Sequence, residues 1–311
     1  MVNTPPVPCR LFGVLAPAAP MVLLLRRGPK AWAQLIQWQT DTDTFINGQW
    51  LRGHIYTRRC SLSPDGTLFA YFVSKYGTRM RESESSETWT AISRPPYFTA
   101  LALWPKGDAW NGGAVFQDNR TLLLNHSEGG KPLVDPAEHL RVVAGWEVPW
   151  FAMGEDYPIH EAILQQQGWR RVETSAYAES VDEVSAQLPV LSKRRRRSRY
   201  LMSRAFIWQK PIPGGRFVLQ QADYGADFTR LGDFHILRWK LIDNTTKQAQ
   251  EIEQAEWADL DRQGRLIFTR AGQVWACLPQ HFPHGTICLL DLNERRPAPK
   301  PSPLWASEWP S

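Results

Sequence analysis

Ser61-Leu62-Ser63-Pro64-Asp65-Gly66-Thr67-Leu68-Phe69-Ala70-Tyr71-Phe72 reads as an apolar strand, a tight turn and a second apolar strand. Pro64 presets its own φ, and Gly66 tolerates the positive φ that a hairpin turn needs. Leu68, Ala70 and Phe72 alternate with Phe69 and Tyr71, so both faces of the second strand are apolar. Such a strand is expected to lie between two packed sheets.

The outline recurs along the chain. Trp257 to Phe268 turns at Gly264. Val115 to Leu124 turns at Asn119-Arg120, with Asn119 standing in for glycine at positive φ. Ile163 to Val172 turns at Gly168, Ile212 to Leu219 at Gly215, and Val14 to Leu25 across an Ala/Pro run near position 19. Successive turns are 47 to 53 residues apart, the length of one four-stranded blade. The expectation is an all-β protein: a β-propeller of five or six four-stranded blades filling residues 1–295. A β-sandwich or an irregular all-β domain is the alternative. In the propeller reading the last strand, Thr286 to Leu292, closes the ring beside an N-terminal strand. Residues 296–311 form a proline-rich tail, extended against the body or loose.

The stretch Leu62 to Tyr71 resembles the WD40-like repeat of TolB-type propellers, whose blades carry a Ser-Pro-Asp-Gly turn before an apolar strand. The resemblance covers this copy in full and Trp257 to Phe268 in outline. The other copies depart from it, and the Gly-His and Trp-Asp dipeptides of WD40 blades are absent from the matching places. It implies a fold and no activity. Glu87 to Asp108 also resembles uncharacterised bacterial proteins, which implies a bacterial protein and no mechanism.

At 311 residues and 43% apolar content the chain can bury a large core. Fifteen tryptophans suit a fold whose packed sheets leave large spaces to fill. Cys9, Cys60, Cys277 and Cys288 are scattered and form no Cys-x-x-Cys pair, which suggests reduced thiols and a cytoplasmic location. No signal peptide or membrane-spanning stretch is expected.

The repeat is interrupted between 179 and 204. Val181, Val184 and Leu188 recur at helical spacing, so a short helix ending at Pro189 is expected. Tyr157 to Gln167 is ambiguous: it contains helix formers, but the repeat phase makes it a strand. Lys193-Arg194-Arg195-Arg196-Arg197 follows the inserted helix, with Arg199 and Tyr200 beyond. Adjacent cations repel, so the run is solvated or bound to an anionic partner. It can contact phosphates, with Tyr200 stacking on a base, or meet an acidic protein surface. The other 31 basic residues equal the 31 acidic ones, so the basicity is local.

No phosphate-binding loop, dinucleotide fingerprint or nucleophile elbow is present, and no catalytic residue, cofactor or metal ligand set is assigned. His281 and His284 have ligand spacing but nothing nearby to complete a site. Asp259 and Asp261 read as turn residues that cap amides. These observations favour a non-enzymatic scaffold that binds a protein partner through the insertion. The alternatives are a nucleic-acid accessory protein using 193–199, and a hydrolase or lyase at the propeller channel.

Overall fold

The structure, a computed structural model, describes residues 9–29, 31–75, 87–126, 130–147, 156–191, 199–228 and 235–310. Five sheets follow one another along the chain. The first is β1 (Arg10–Leu15), β2 (Met21–Arg27), β3 (Trp32–Gln39) and β4 (Thr44–Arg52). The second is β5 (His54–Ile55), β6 (Ser61–Leu62), β7 (Phe69–Ser74), β8 (Thr88–Ser93) and β9 (Ala100–Pro105), with β5 and β6 both pairing with β7. The third is β10 (Ala114–Asp118), β11 (Thr121–Leu124) and β12 (Arg141–Ala144), the last parallel to β11. Helix α1 (Ile159–Gln166), strand β13 (Arg170–Val172) and helix α2 (Val181–Gln187) come next. The fourth sheet joins β13 to β14 (Arg199–Pro211), β15 (Phe217–Asp227), β16 (His235–Asp243) and β17 (Gln248–Glu251). The fifth is β18 (Trp257–Leu260), β19 (Leu266–Arg270), β20 (Gln273–Cys277) and β21 (Ile287–Asp291). They are the five blades of a β-propeller. The chain divides into two compact units, Met1–Leu11 with Gly168–Glu294, and Phe12–Gln167 with Arg295–Ser311.

The opening motif folds as its residues demand. Gly66 sits at φ 76°. Ser63 Oγ donates to Asp65 Oδ1 (2.6 Å), and the Thr67 amide and hydroxyl donate to the same oxygen (3.0 and 2.9 Å). Burial pushes the Asp65 carboxyl up, but the bonds from Ser63 and Thr67 outweigh it and hold the group below its ordinary value. All six residues of β7 are buried. Phe69, Tyr71 and Val73 enter one cluster with Leu23, Leu25 and Leu35 of the first sheet. Leu68 and Ala70 enter another with Phe116 and Leu122 of the third. The strand therefore lies between two sheets, as its double-faced apolar pattern requires.

Five of the six turn positions close hairpins: β1–β2, β6–β7, β10–β11, β14–β15 and β18–β19. The sixth, at Gly168, does not, and this fixes the blade number at five. The stretch before it forms α1 because Ile159 and Ile163, one helical turn apart, pack on Val115 and Leu123 of the third sheet. That contact overrides the repeat phase. Gly168 still takes a positive φ (86°), but to leave a helix rather than to join two strands. Strand number also varies: only the first and fifth sheets have four.

Three smaller expectations change as well. Asn119 is not at positive φ; its side chain accepts from the Asp65 amide (3.1 Å) and ties the second blade's turn to the third's. Residues 199–204 belong to β14 rather than interrupting the blade. Finally, β21 pairs with β20 and β1 with β2, so the last strand does not add to an N-terminal one. Instead the Leu11 amide donates to the Glu256 carboxylate (2.8 Å), and the Leu11 carbonyl accepts from the Thr269 hydroxyl (2.7 Å).

Asp65→Ala is expected to cost about 1–2 kcal/mol in urea denaturation, because it orphans the Ser63 and Thr67 donors. Asp65→Asn, which keeps one acceptor oxygen, should cost less.

Candidate interaction site on the fourth blade

The expected inserted helix is α2. Ser180 and Glu183 form a reciprocal capping box: Ser180 Oγ accepts from the Glu183 amide (3.2 Å), and the Glu183 carboxylate accepts from the Ser180 amide (2.7 Å). Its one buried side chain, Val184, packs with Ile207, Ala222, Tyr224 and Ile236 of the fourth sheet. Glu179 fixes the approach to the helix. Its carboxylate meets Lys240 Nζ at 2.9 Å and accepts from the Tyr224 hydroxyl at 3.1 Å. Burial works against ionisation of Glu179, but Lys240 and the other donors keep its carboxyl below the usual value. Lys240 also donates to the Tyr177 carbonyl (2.8 Å).

β14 and β15 pair over a long register, from Pro211 opposite Val218 near the turn to Arg199 opposite Asp227 at the far end. A bulge sets residues 202–205 of β14 against one residue of β15. At the far end Arg199 donates twice to Asp227 Oδ2 (2.6 and 3.0 Å) and once to the Pro189 carbonyl (2.9 Å). One guanidinium thus ties the ribbon to the chain leaving α2. Gly225, at φ 129°, lies against this end, where an added Cβ would collide with the Tyr200 carbonyl oxygen.

Around this tie several apolar side chains face outward. Val190 is 95% exposed, Tyr200 63% and Phe228 58%. In the ribbon register Tyr200 is opposite Ala226, so Tyr200 and Phe228 occupy the same face. Beside them is a cleft of about 700 Å³ whose walls include Leu188, Leu191, Ile236 and Trp239. All three arginines that line it are engaged. Arg199 pairs with Asp227, Arg238 reaches Gln187 (2.9 Å) and Glu251 (3.8 Å), and Arg10 approaches Glu256 (3.9 Å). The cleft therefore presents alternating charge over an apolar floor, a surface suited to recognition.

Of the residues singled out by sequence, Arg199 and Tyr200 are in this site. Lys193, Arg194, Arg195, Arg196 and Arg197 lie outside the described residues. Sequence reasoning missed Asp227 and Lys240 on strands and Glu179 in the loop before α2, because single charged residues carry no spacing signal. It also missed the exposure of Val190, which sits among the apolar residues Leu188 and Leu191.

No protein-family model matches this chain, and neither does any curated protein.

The other candidates resolve separately. Asp261 caps the Gln263 and Arg265 amides, as expected (3.0 and 2.9 Å). Asp259 does more. It is buried, and it accepts from Lys210 Nζ (2.5 Å) and the Trp169 indole (3.2 Å), an ion pair that joins β14 to β18. His281 and His284 stand exposed on the turn after β20. Among the described residues no three His, Cys, Asp or Glu side chains converge, and no helix is long and apolar enough to cross a membrane.

Burial first, then Lys106, lowers the His126 pKa from 6.5 to about 4 despite Asp108. Its Nε2 is 2.9 Å from the Thr90 hydroxyl, which accepts from the Gly113 amide.

Two outcomes are expected. Because unfolded His126 takes a proton near pH 6.5 and the folded group only near pH 4, its contribution is complete above pH 6.5 and lost on acidification. The loss approaches about 3 kcal/mol by pH 4. Denaturant titrations across that window should show it, and His126→Gln should flatten the slope. Gly225→Ala should destabilise the protein by about 1–3 kcal/mol, with accelerated amide exchange concentrated at Arg199–Leu201.

Proposed function

We propose that this protein is a non-enzymatic interaction platform whose contact surface is the far end of the β14–β15 ribbon with the chain that leaves α2. The observation that carries this reading is the exposure of Val190 and Tyr200 at a place held rigid from both sides. A capped helix anchors one side, and the Arg199–Asp227 pair anchors the other. Apolar and aromatic groups held in fixed positions bind without the entropic cost of ordering a loose loop. Propellers commonly serve as such platforms. The cationic residues Lys193 to Arg197 supply the charged part of the surface, and the favoured partner is a protein with an acidic, partly apolar face.

Contact with RNA or DNA phosphates through the same run is the second reading. It is favoured by the exposed Tyr200 ring, which is available for stacking beside the cations. The same proposal takes the blades as WD40-like and the protein as bacterial and cytoplasmic. The Ser63–Asp65–Gly66 turn supports the first. The absence of a disulfide among the described cysteines is compatible with a reducing compartment.

The test is affinity purification from the host at about 0.1 M and about 0.5 M salt, followed by titration of the captured partner. A protein retained at both concentrations, whose affinity falls at least about tenfold for Val190→Asp/Tyr200→Ala, is the expected outcome. Unchanged affinity in that variant moves the contact elsewhere. Nucleic acid captured only at low salt, and lost when Arg194 to Arg197 are all changed to Ala, replaces the protein reading with the second.

A further inference from the structure

Arg295–Ser311 belongs to the second compact unit, yet none of its described residues enters a sheet. It is held by side chains. The Arg295 carbonyl accepts from Arg26 (2.9 Å), and the Lys300 carbonyl accepts from Gln49 (3.1 Å). Lys300 Nζ donates to the Asn47 carbonyl (2.5 Å) and stands 5.5 Å from the Tyr97 ring. The Ser302 and Thr99 hydroxyls are 2.6 Å apart.

Two tryptophans follow, four residues apart. Trp305 meets Tyr97 edge-on at 5.2 Å. Arg94 lies 4.9 Å over the Trp305 ring and donates to its carbonyl (3.0 Å). Trp309 packs on the cluster of Leu68 and Leu122 and meets His139 at 5.9 Å. Between them Ala306 is fully buried, whereas Leu304 is 87% exposed.

This is the anatomy of a peptide seated in a recognition groove. Prolines at 297, 299, 301 and 303 hold the segment extended before it binds. Aromatic and arginine anchors supply the energy, and no strand ladder has to be broken to release it. We propose that the surface formed by Gln49, Arg94, Tyr97, Thr99 and His139 is a binding site for proline-rich segments of a partner protein that run, like residues 297–309, from extended chain into a 3-10 turn (Leu304–Ser307 here) and carry two tryptophans four residues apart. The chain's own residues 296–310 occupy that site as an intramolecular competitor. Covalent attachment gives the competitor a high effective concentration, so the site opens to a partner only when the tail is weakened or outcompeted. This surface is separate from the one on the fourth blade, and neither proposal depends on the other.

A specific protease site inserted after Ala298 allows the folded, purified protein to be cut while the tail stays seated. A fluorescein-labelled peptide with the sequence of 299–311 is then added and followed by anisotropy, with circular dichroism reporting the fold. The expected result is exchange of peptide into the cut protein. Peptides carrying Trp305→Ala or Trp309→Ala should bind at least about tenfold more weakly, and uncut protein should bind at least about a hundredfold more weakly than cut. The proposal is overturned if excess peptide cannot displace the cut tail, if the body unfolds as the tail leaves, or if the two variant peptides bind as well as the parent. A concentration-dependent dimer of uncut protein that Trp309→Ala abolishes would overturn the partner assignment in favour of a second copy's tail.

Discussion

A chain that reverses direction at tight hairpins must find acceptors for the amides its turns expose. Among the described residues an aspartate side chain takes the amide two residues ahead at six turns, Asp65, Asp108, Asp118, Asp243, Asp261 and Asp291, and at the β15 bulge, Asp223. The device is local, so it fixes a turn before any sheet packs against it. It also commits the carboxylates. Arg216 and the Thr245 amide hold the Asp243 carboxyl at about 2. The Arg120 amide does the same in direction for Asp118; Lys106 and then the Trp110 amide prevail over burial at Asp108, and the Asn293 amide does so at Asp291. Acids that look available in the sequence are thus engaged by their own backbone.

That engagement explains what the sequence could reveal. Turn chemistry is a short-range property, so Gly66, Gly215 and Gly264 announced their hairpins correctly, each at positive φ. The double-faced pattern of residues 68–72 announced a strand between two sheets. Gly168 misled because its spacing is also that of a helix followed by a glycine. Only a long-range contact, Ile159 and Ile163 on the third sheet, decides between the two. The hairpin turns at Asn119 and Gly215 are 96 residues apart, two repeat lengths, so the count of turns stayed regular while the count of blades fell by one.

The candidate site was half legible. The helix, its end before Pro189 and the exposed Tyr200 follow from spacing and composition. The tie between Arg199 and Asp227 does not, because it joins residues 28 apart through strand register. The Asp259–Lys210 pair was invisible for the same reason, with a separation of 49. Both are ion pairs with a carboxylate only 2–3% exposed, where losing either partner is costly. The first pins two strands of the fourth sheet to each other, and the second joins the fourth sheet to the fifth.

The bonds from Leu11 to Glu256 and Thr269 bear on how the protein is made. They close a loop of 245 residues, and the compact unit they complete takes most of its chain from beyond residue 167. On a ribosome, Phe12 to Gln167 emerges early and can begin to build its sheets. The partners of Leu11, Glu256 and Thr269, emerge 245 and 258 residues after it. Such late, distant closure slows folding far more than it weakens the finished protein. β1 can therefore pair with β2 long before Leu11 meets Glu256 and Thr269, and those two bonds are the last to join this strand to the fifth sheet.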